Sequence, residues 1–114
     1  MKKIYGVVGA GGHGREVMPL ARVVLGSEIA AGEIELVFAV EGEPKDDVVN
    51  GTTVLSLSRF LGIDGERRFN IAIADSRARA RISDLCIEAG ASPFVIIAPT
   101  PIATPVPDTG LVLL

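Results

Sequence analysis

Gly9-Ala-Gly-Gly-His-Gly14 is the stretch of this sequence whose residue types and spacing are best suited to chemistry. Gly9, Gly11 and Gly14 stand in the spacing G-x-G-x-x-G. Between a buried strand and an amphipathic helix, such a run brings backbone N–H groups up to a phosphate. The first glycine permits a tight turn, the second lets a phosphate approach the backbone, and the third lets the helix pack close to the sheet. The helix dipole favours the anion as well. A strand-to-helix turn with no ligand would use the same glycines.

Three side chains near the loop extend this reading. His13 is the only histidine of the chain and falls at the expected helix start, beside Gly12. A phosphate there would favour its cation while the helix dipole would oppose it, so ligand contact is the functional reading and a surface histidine the plain one. Arg15 sits near enough to reach the same phosphate, or it is a solvated helix charge. Glu41 ends the second predicted strand, where a dinucleotide fold places an acid for a ribose hydroxyl. It follows Gly14 by 27 residues because Ser27–Glu33 reads as an inserted loop, and it belongs to an acidic run with Glu43, Asp46 and Asp47.

The elements that must hold these residues alternate. Residues 3–9 read as a buried strand. Val17, Leu20, Ala21, Val24 and Leu25 then mark one helical face. Pro19 should kink or loosen that helix, and Gly26 should stop it. Residues 34–40 form a second strand and 41–51 a polar surface loop. Thr52–Leu55 read as a short edge strand, followed by a short helix over Leu57, Phe60 and Leu61 that closes at Gly62. Residues 69–74 form the third buried strand. Asp75 or Ser76 caps the next helix, with Ala78, Ile82, Leu85, Cys86 and Ala89 on its apolar face and Gly90 at its end. Residues 94–98 are the last strand. The Pro-rich segment 99–114 then reads as a connector. The class is α/β, with a Rossmann-like parallel sheet of about four strands and flanking helices.

Composition narrows the function classes. The 114 residues make one domain, and its core is aliphatic, with 48% hydrophobic but only 4% aromatic residues. One cysteine and one histidine exclude a zinc finger or a disulfide framework. A net charge of −3 argues against broad nucleic-acid binding. No apolar run approaches the ~20 residues of a membrane helix, and no secretory leader is visible, so a cytoplasmic protein is expected. Cys86 reads as an inert core thiol. No serine–histidine or acid–base pairing around His13 suggests hydrolysis.

The run Lys3-Ile-Tyr-Gly-Val-Val-Gly-Ala-Gly-Gly-His-Gly-Arg-Glu-Val17 resembles the opening of bacterial sugar acyltransferases of the sialic acid O-acetyltransferase and bacillosamine N-acetyltransferase type. Later segments follow in the same order: Val37–Glu41, Asn50–Val54, Ile71–Arg79 and Gly90–Phe94. The resemblance covers residues 3–98 and matches Arg79 to the family's arginine. It implies an N-terminal nucleotide-sugar-binding domain at 1–98, with 99–114 as a connector or a degenerate first coil. The family's second domain is a trimeric left-handed β-helix of hexapeptide repeats, which is absent from this sequence. That domain binds acetyl-CoA and carries the catalytic histidine. On this reading the chain binds a UDP-sugar through Gly9, Gly11, Gly12, His13, Gly14, Arg15, Glu41 and Arg79. It holds no cofactor of its own and does not catalyse alone. Departures from the family pattern are Glu41-Gly42 for a pair of aspartates, Ala74 for a glycine, and Ala98-Pro99 for His-Pro. Two other readings compete: an NAD(P)-type dinucleotide module using Glu41, and a non-catalytic interaction domain that docks through Leu111–Leu114.

Overall fold

The structure, a computed structural model, describes residues 2–99 and 111–113. The elements run β1 (Lys3–Val8), α1 (Gly12–Val24), α2 (Gly26–Ala30), β2 (Ile34–Val40), β3 (Val48–Val49), β4 (Thr52–Ser56), α3 (Leu57–Leu61), β5 (Arg67–Ile71), α4 (Ser76–Glu88), β6 (Ser92–Pro93), β7 (Ile97–Pro99) and β8 (Leu111–Leu113). Six strands form one sheet in the order β3-β4-β2-β1-β5-β6, parallel throughout except for the β3–β4 hairpin. The expectation of about four strands is therefore corrected to six. Both additions are two residues long, β3 and β6, too short to show a periodic pattern in sequence.

The chain leaves β1 through α1 to β2 and β4, then returns through α3 to pair β5 on the other side of β1. The connections therefore change direction between β1 and β5. In open α/β sheets, ligands collect outside the carboxyl ends of strands at such a point. The glycine loop lies there.

Strand alternation splits the core into two layers. Val7, Leu36, Phe38 and Val54 point to the face covered by Val17, Met18 and Ala21 of α1. Val8, Val37, Ala39 and Phe69 point to the face covered by Leu57 and Phe60 of α3 and by Ile82 and Cys86 of α4. Phe38 and Phe60 are each fully buried, and each burial contributes about 1.5–3 kcal/mol.

Local expectations are met in part. α1 runs unbroken through Pro19 to Val24, and the residue after it, Leu25, is its C-cap. The predicted loop over Ser27–Glu33 is largely helical, as α2. The third strand lies at Arg67–Ile71 instead of 69–74, because Ile4–Val8 of β1 pairs with those residues. The last predicted strand, 94–98, does not join the main sheet, and of its residues only Ile97 and Ala98 are strand. Ser92–Pro93 pair with β5, whereas Ile97–Pro99 pair antiparallel with Leu111–Leu113. Thr52–Ser56 is an inner strand, flanked by the outer β3. Asp75 caps α4 by accepting N–H bonds from Arg77 at 2.9 Å and Ala78 at 3.4 Å. The apolar face of α4 is narrower than its pattern suggests: Ile82 and Cys86 are buried, while Leu85 and Ala89 are exposed. Most of the 99–114 connector lies outside the described residues.

Candidate functional site

The glycine loop is built by backbone contact. Gly9 has a φ of +110° and donates its N–H to the Ala39 carbonyl at 2.8 Å. A Cβ on Gly9 would sit only 2.9 Å from the Ala72 carbonyl oxygen. Gly14 is buried against the Gly9 carbonyl, where no Cβ fits. Gly9 and Gly14 are thus required by the fold. Gly11 and Gly12 differ: both are exposed, and nothing lies within 4 Å of a Cβ placed on either. Their bareness leaves open space above the loop.

Gly11 is the N-cap of α1 and offers no side-chain cap. The first helical bond runs from the Arg15 N–H to the Gly11 carbonyl at 2.9 Å. The amides of Gly12, His13 and Gly14 consequently have no acceptor within the helix. No acid stands in the first turn of α1. The terminus therefore carries uncompensated positive partial charge.

A cleft of about 390 Å³ opens beside this terminus, at the carboxyl ends of β1 and β2. Ala10, Gly11 and Arg15 form one side, and Glu41, Glu43, Pro44, Lys45 and Asp46 form much of the other. Val40, Val49 and Val54 contribute its apolar surface. The Arg15 Nε donates to the Ala10 carbonyl at 3.2 Å, which folds the guanidinium back over the loop.

Of the residues singled out in sequence, Gly11, Arg15 and Glu41 line this cleft together. Gly9 and Gly14 shape the turn beneath it. Gly12 and His13 are exposed at the start of α1 and do not line it. Arg79 is elsewhere. It lies on α4 in a separate cleft of about 410 Å³ with Asn70, Ser76, Ser83 and Phe94.

Glu41 has a partner that sequence reasoning missed. Arg81 of α4 donates to both of its carboxylate oxygens, at 2.6 and 3.0 Å. These hydrogen bonds hold the Glu41 carboxyl below the ordinary carboxylate range. The signal was available in strand parity. Val37 and Ala39 face α3 and α4, so Glu41, two residues on, continues toward the same side. Lys45 was also missed, hidden in an acidic run. Among the described residues, no group of three or more His, Cys, Asp or Glu could hold a metal ion, and no helix is long and apolar enough to cross a membrane.

Comparison with known proteins decides the kinship. The chain is 35% identical over 102 residues to the GDP-perosamine N-acetyltransferase of Escherichia coli O157:H7, covering 84% of this chain and 43% of that protein. The chain is related to the bacterial sugar acetyltransferases. It corresponds to an N-terminal domain of such an enzyme. The fold agrees with a second acetyltransferase, the acetyltransferase domain of PglB from Neisseria gonorrhoeae FA1090, solved in complex with acetyl coenzyme A. That match has a TM-score of 0.59 at 26% identity, over 80% of this chain and 42% of the other. The chain therefore spans less than half the length of either acetyltransferase. No protein-family model matches it.

Proposed function

We propose that this chain is the nucleotide-sugar-binding domain of a sugar acetyltransferase. The observation that carries the reading is the open, uncapped and acid-free N-terminus of α1, facing a cleft that Arg15 overhangs. In this reading the diphosphate sits at the mouth of the cleft, beside Gly11 and Arg15 of its lining, and accepts hydrogen bonds from the amides of Gly12 and His13 just outside it. Arg15 keeps further guanidinium N–H groups for the same anion, since only its Nε is engaged by Ala10. The base and ribose extend along Val40, Val49 and Val54. His13 serves as an exposed ligand contact and not as a base.

The name of the Escherichia coli relative adds guanosine to the uridine ligands suggested by sequence resemblance. The whole enzyme would move an acetyl group from acetyl-CoA to a sugar amine or hydroxyl. That nitrogen or oxygen would attack the thioester carbonyl while a general base takes up its proton, and the C–S bond would break to release coenzyme A as its thiol. The proposal assigns binding and orientation of the sugar nucleotide to this domain, and the base and thioester site to another part of a trimeric enzyme. An NAD-type ligand suits the cleft less well, because the acid expected to accept from its ribose is bound bidentately by Arg81.

Titration calorimetry with UDP, GDP and their amino-sugar conjugates tests the assignment. Saturable heat is expected with one nucleotide series, together with weak or no heat for NAD. Heat with NAD but none with any uridine or guanosine ligand would overturn it.

A further inference from the structure

We propose that Arg81 is a positioning residue for the cleft, acting through Glu41 to hold the 41–47 wall in place. The inference rests on the nucleotide-site reading above and adds a residue that lies outside the cleft lining.

The 41–47 segment contains neither helix nor strand, yet it supplies Glu41, Glu43, Pro44, Lys45 and Asp46 to the cleft. Two ties hold its ends. At the far end, the Asp47 carbonyl accepts the Val54 N–H at 2.8 Å, which fixes it to β4. At the near end, the Glu41 carboxylate is gripped by both terminal nitrogens of Arg81. The root of Arg81 is itself rigid, because its neighbour Ile82 is fully buried against the sheet. A bidentate guanidinium–carboxylate pair fixes orientation as well as distance. The tie thus joins the carboxyl end of β2 to a helix forty residues further along the chain.

Both partners are exposed, and exposed ion pairs contribute little to global stability. The consequence of this pair therefore falls on the cleft. Electrostatics point the same way. With Glu41 neutralised, the remaining charges in the cleft lining are Arg15 and Lys45 against Glu43 and Asp46, which balance. Without Arg81, the free Glu41 carboxylate would tip the cleft negative and oppose a diphosphate. Loss of Arg81 should hurt ligand binding by loosening the wall and by exposing this charge.

The test uses the 114-residue chain, with Arg81→Gln and Arg81→Lys. Backbone ¹⁵N order parameters are measured without ligand at Gly42, Glu43, Lys45 and Asp46. GDP and UDP affinities are then measured by calorimetry. For Arg81→Gln, the order parameters should fall at these residues alone, nucleotide affinity should fall about tenfold, and the melting temperature should stay within a degree or two. Arg81→Lys should recover part of the affinity through its charge, but not the order, because it lacks the planar fork. Unchanged order parameters in Arg81→Gln would overturn the proposal, whatever the ligand data show. If the wild-type chain binds neither nucleotide, the site reading fails, and the order parameters still decide whether Arg81 holds the wall.

Discussion

Phe60 lays its ring against the bare Cα of Gly6: a Cβ there would sit 2.8 Å from two ring atoms. Gly6 is in the middle of β1 and points to the α3 face, and Phe60 is fully buried, so the ring has nowhere to swing. Gly6→Ala should lower stability by about 1–3 kcal/mol through overpacking. Shortening the ring in the same background, as Gly6→Ala with Phe60→Leu, should cost less than the sum of the two single changes. Urea unfolding of the four proteins measures the coupling; strict additivity would refute the contact.

The glycines of the loop should separate into two classes. Gly14→Ala drives a methyl group into the Gly9 carbonyl and should cost about 2–3 kcal/mol, or roughly 10–20 °C in melting temperature. Gly11→Ala meets open space and loses only the modest N-cap preference for glycine, so its melting temperature should fall far less than that of Gly14→Ala while nucleotide affinity falls. Thermal melts paired with calorimetry resolve the two. A Gly11→Ala protein that binds as tightly as wild type would remove Gly11 from the site.

Arg67 ties the ends of two helices together at the amino end of β5, the end of the sheet away from the glycine loop. Its terminal nitrogens donate to the Leu61 carbonyl, just after the Phe60 turn, and to the Ala89 carbonyl at 2.8 Å. Arg67→Met keeps the aliphatic stem but removes both donors, and should cost about 1–3 kcal/mol. Arg67→Lys should rescue little, because one ammonium cannot span both carbonyls in the guanidinium geometry. A melt of Arg67→Met that overlays wild type would show the bonds to be dispensable.

Cys86 should be unreactive and should make stability fall in alkali. Burial pushes its thiol from the ordinary 9.0 up to about 11. Because the folded value is raised, the thiol's contribution is fully present below 9.0 and is lost as pH rises toward about 11. Native protein should react slowly with a thiol reagent at neutral pH, and urea should speed the reaction. Between pH 9 and 11, wild type should lose stability more steeply than Cys86→Ala. Rapid native labelling would contradict the burial of the thiol.

The glycine loop, the strand before it, the helix after it and the caps of α4 were legible in the sequence because they are local. A continuous apolar run, a G-x-G-x-x-G spacing and an aspartate before a helix each act within a few residues. The strand count was not legible, since β3 and β6 exist only by pairing with longer neighbours. Nor was the exposure of Leu85, which sits on the apolar period of α4 yet stays outside the core cluster that Ile82 and Cys86 join. Arg79 was matched by resemblance to a binding position, yet it lies with Phe94 and Ser83, apart from the glycine-loop cleft.

By itself, then, the sequence determined an α/β class, a glycine-rich strand-to-helix loop and the kinship these residues carry. Tertiary structure alone decided which charges meet. Glu41 reads as a free acid at a strand end, and Arg81 as an outward helix charge. Strand parity turns the first toward α4, and the packing of Ile82 brings the second within 2.6 Å of it. Spacing along the chain reports on neighbours one turn or one pleat away, whereas a pair separated by forty residues is set by how the helix docks on the sheet.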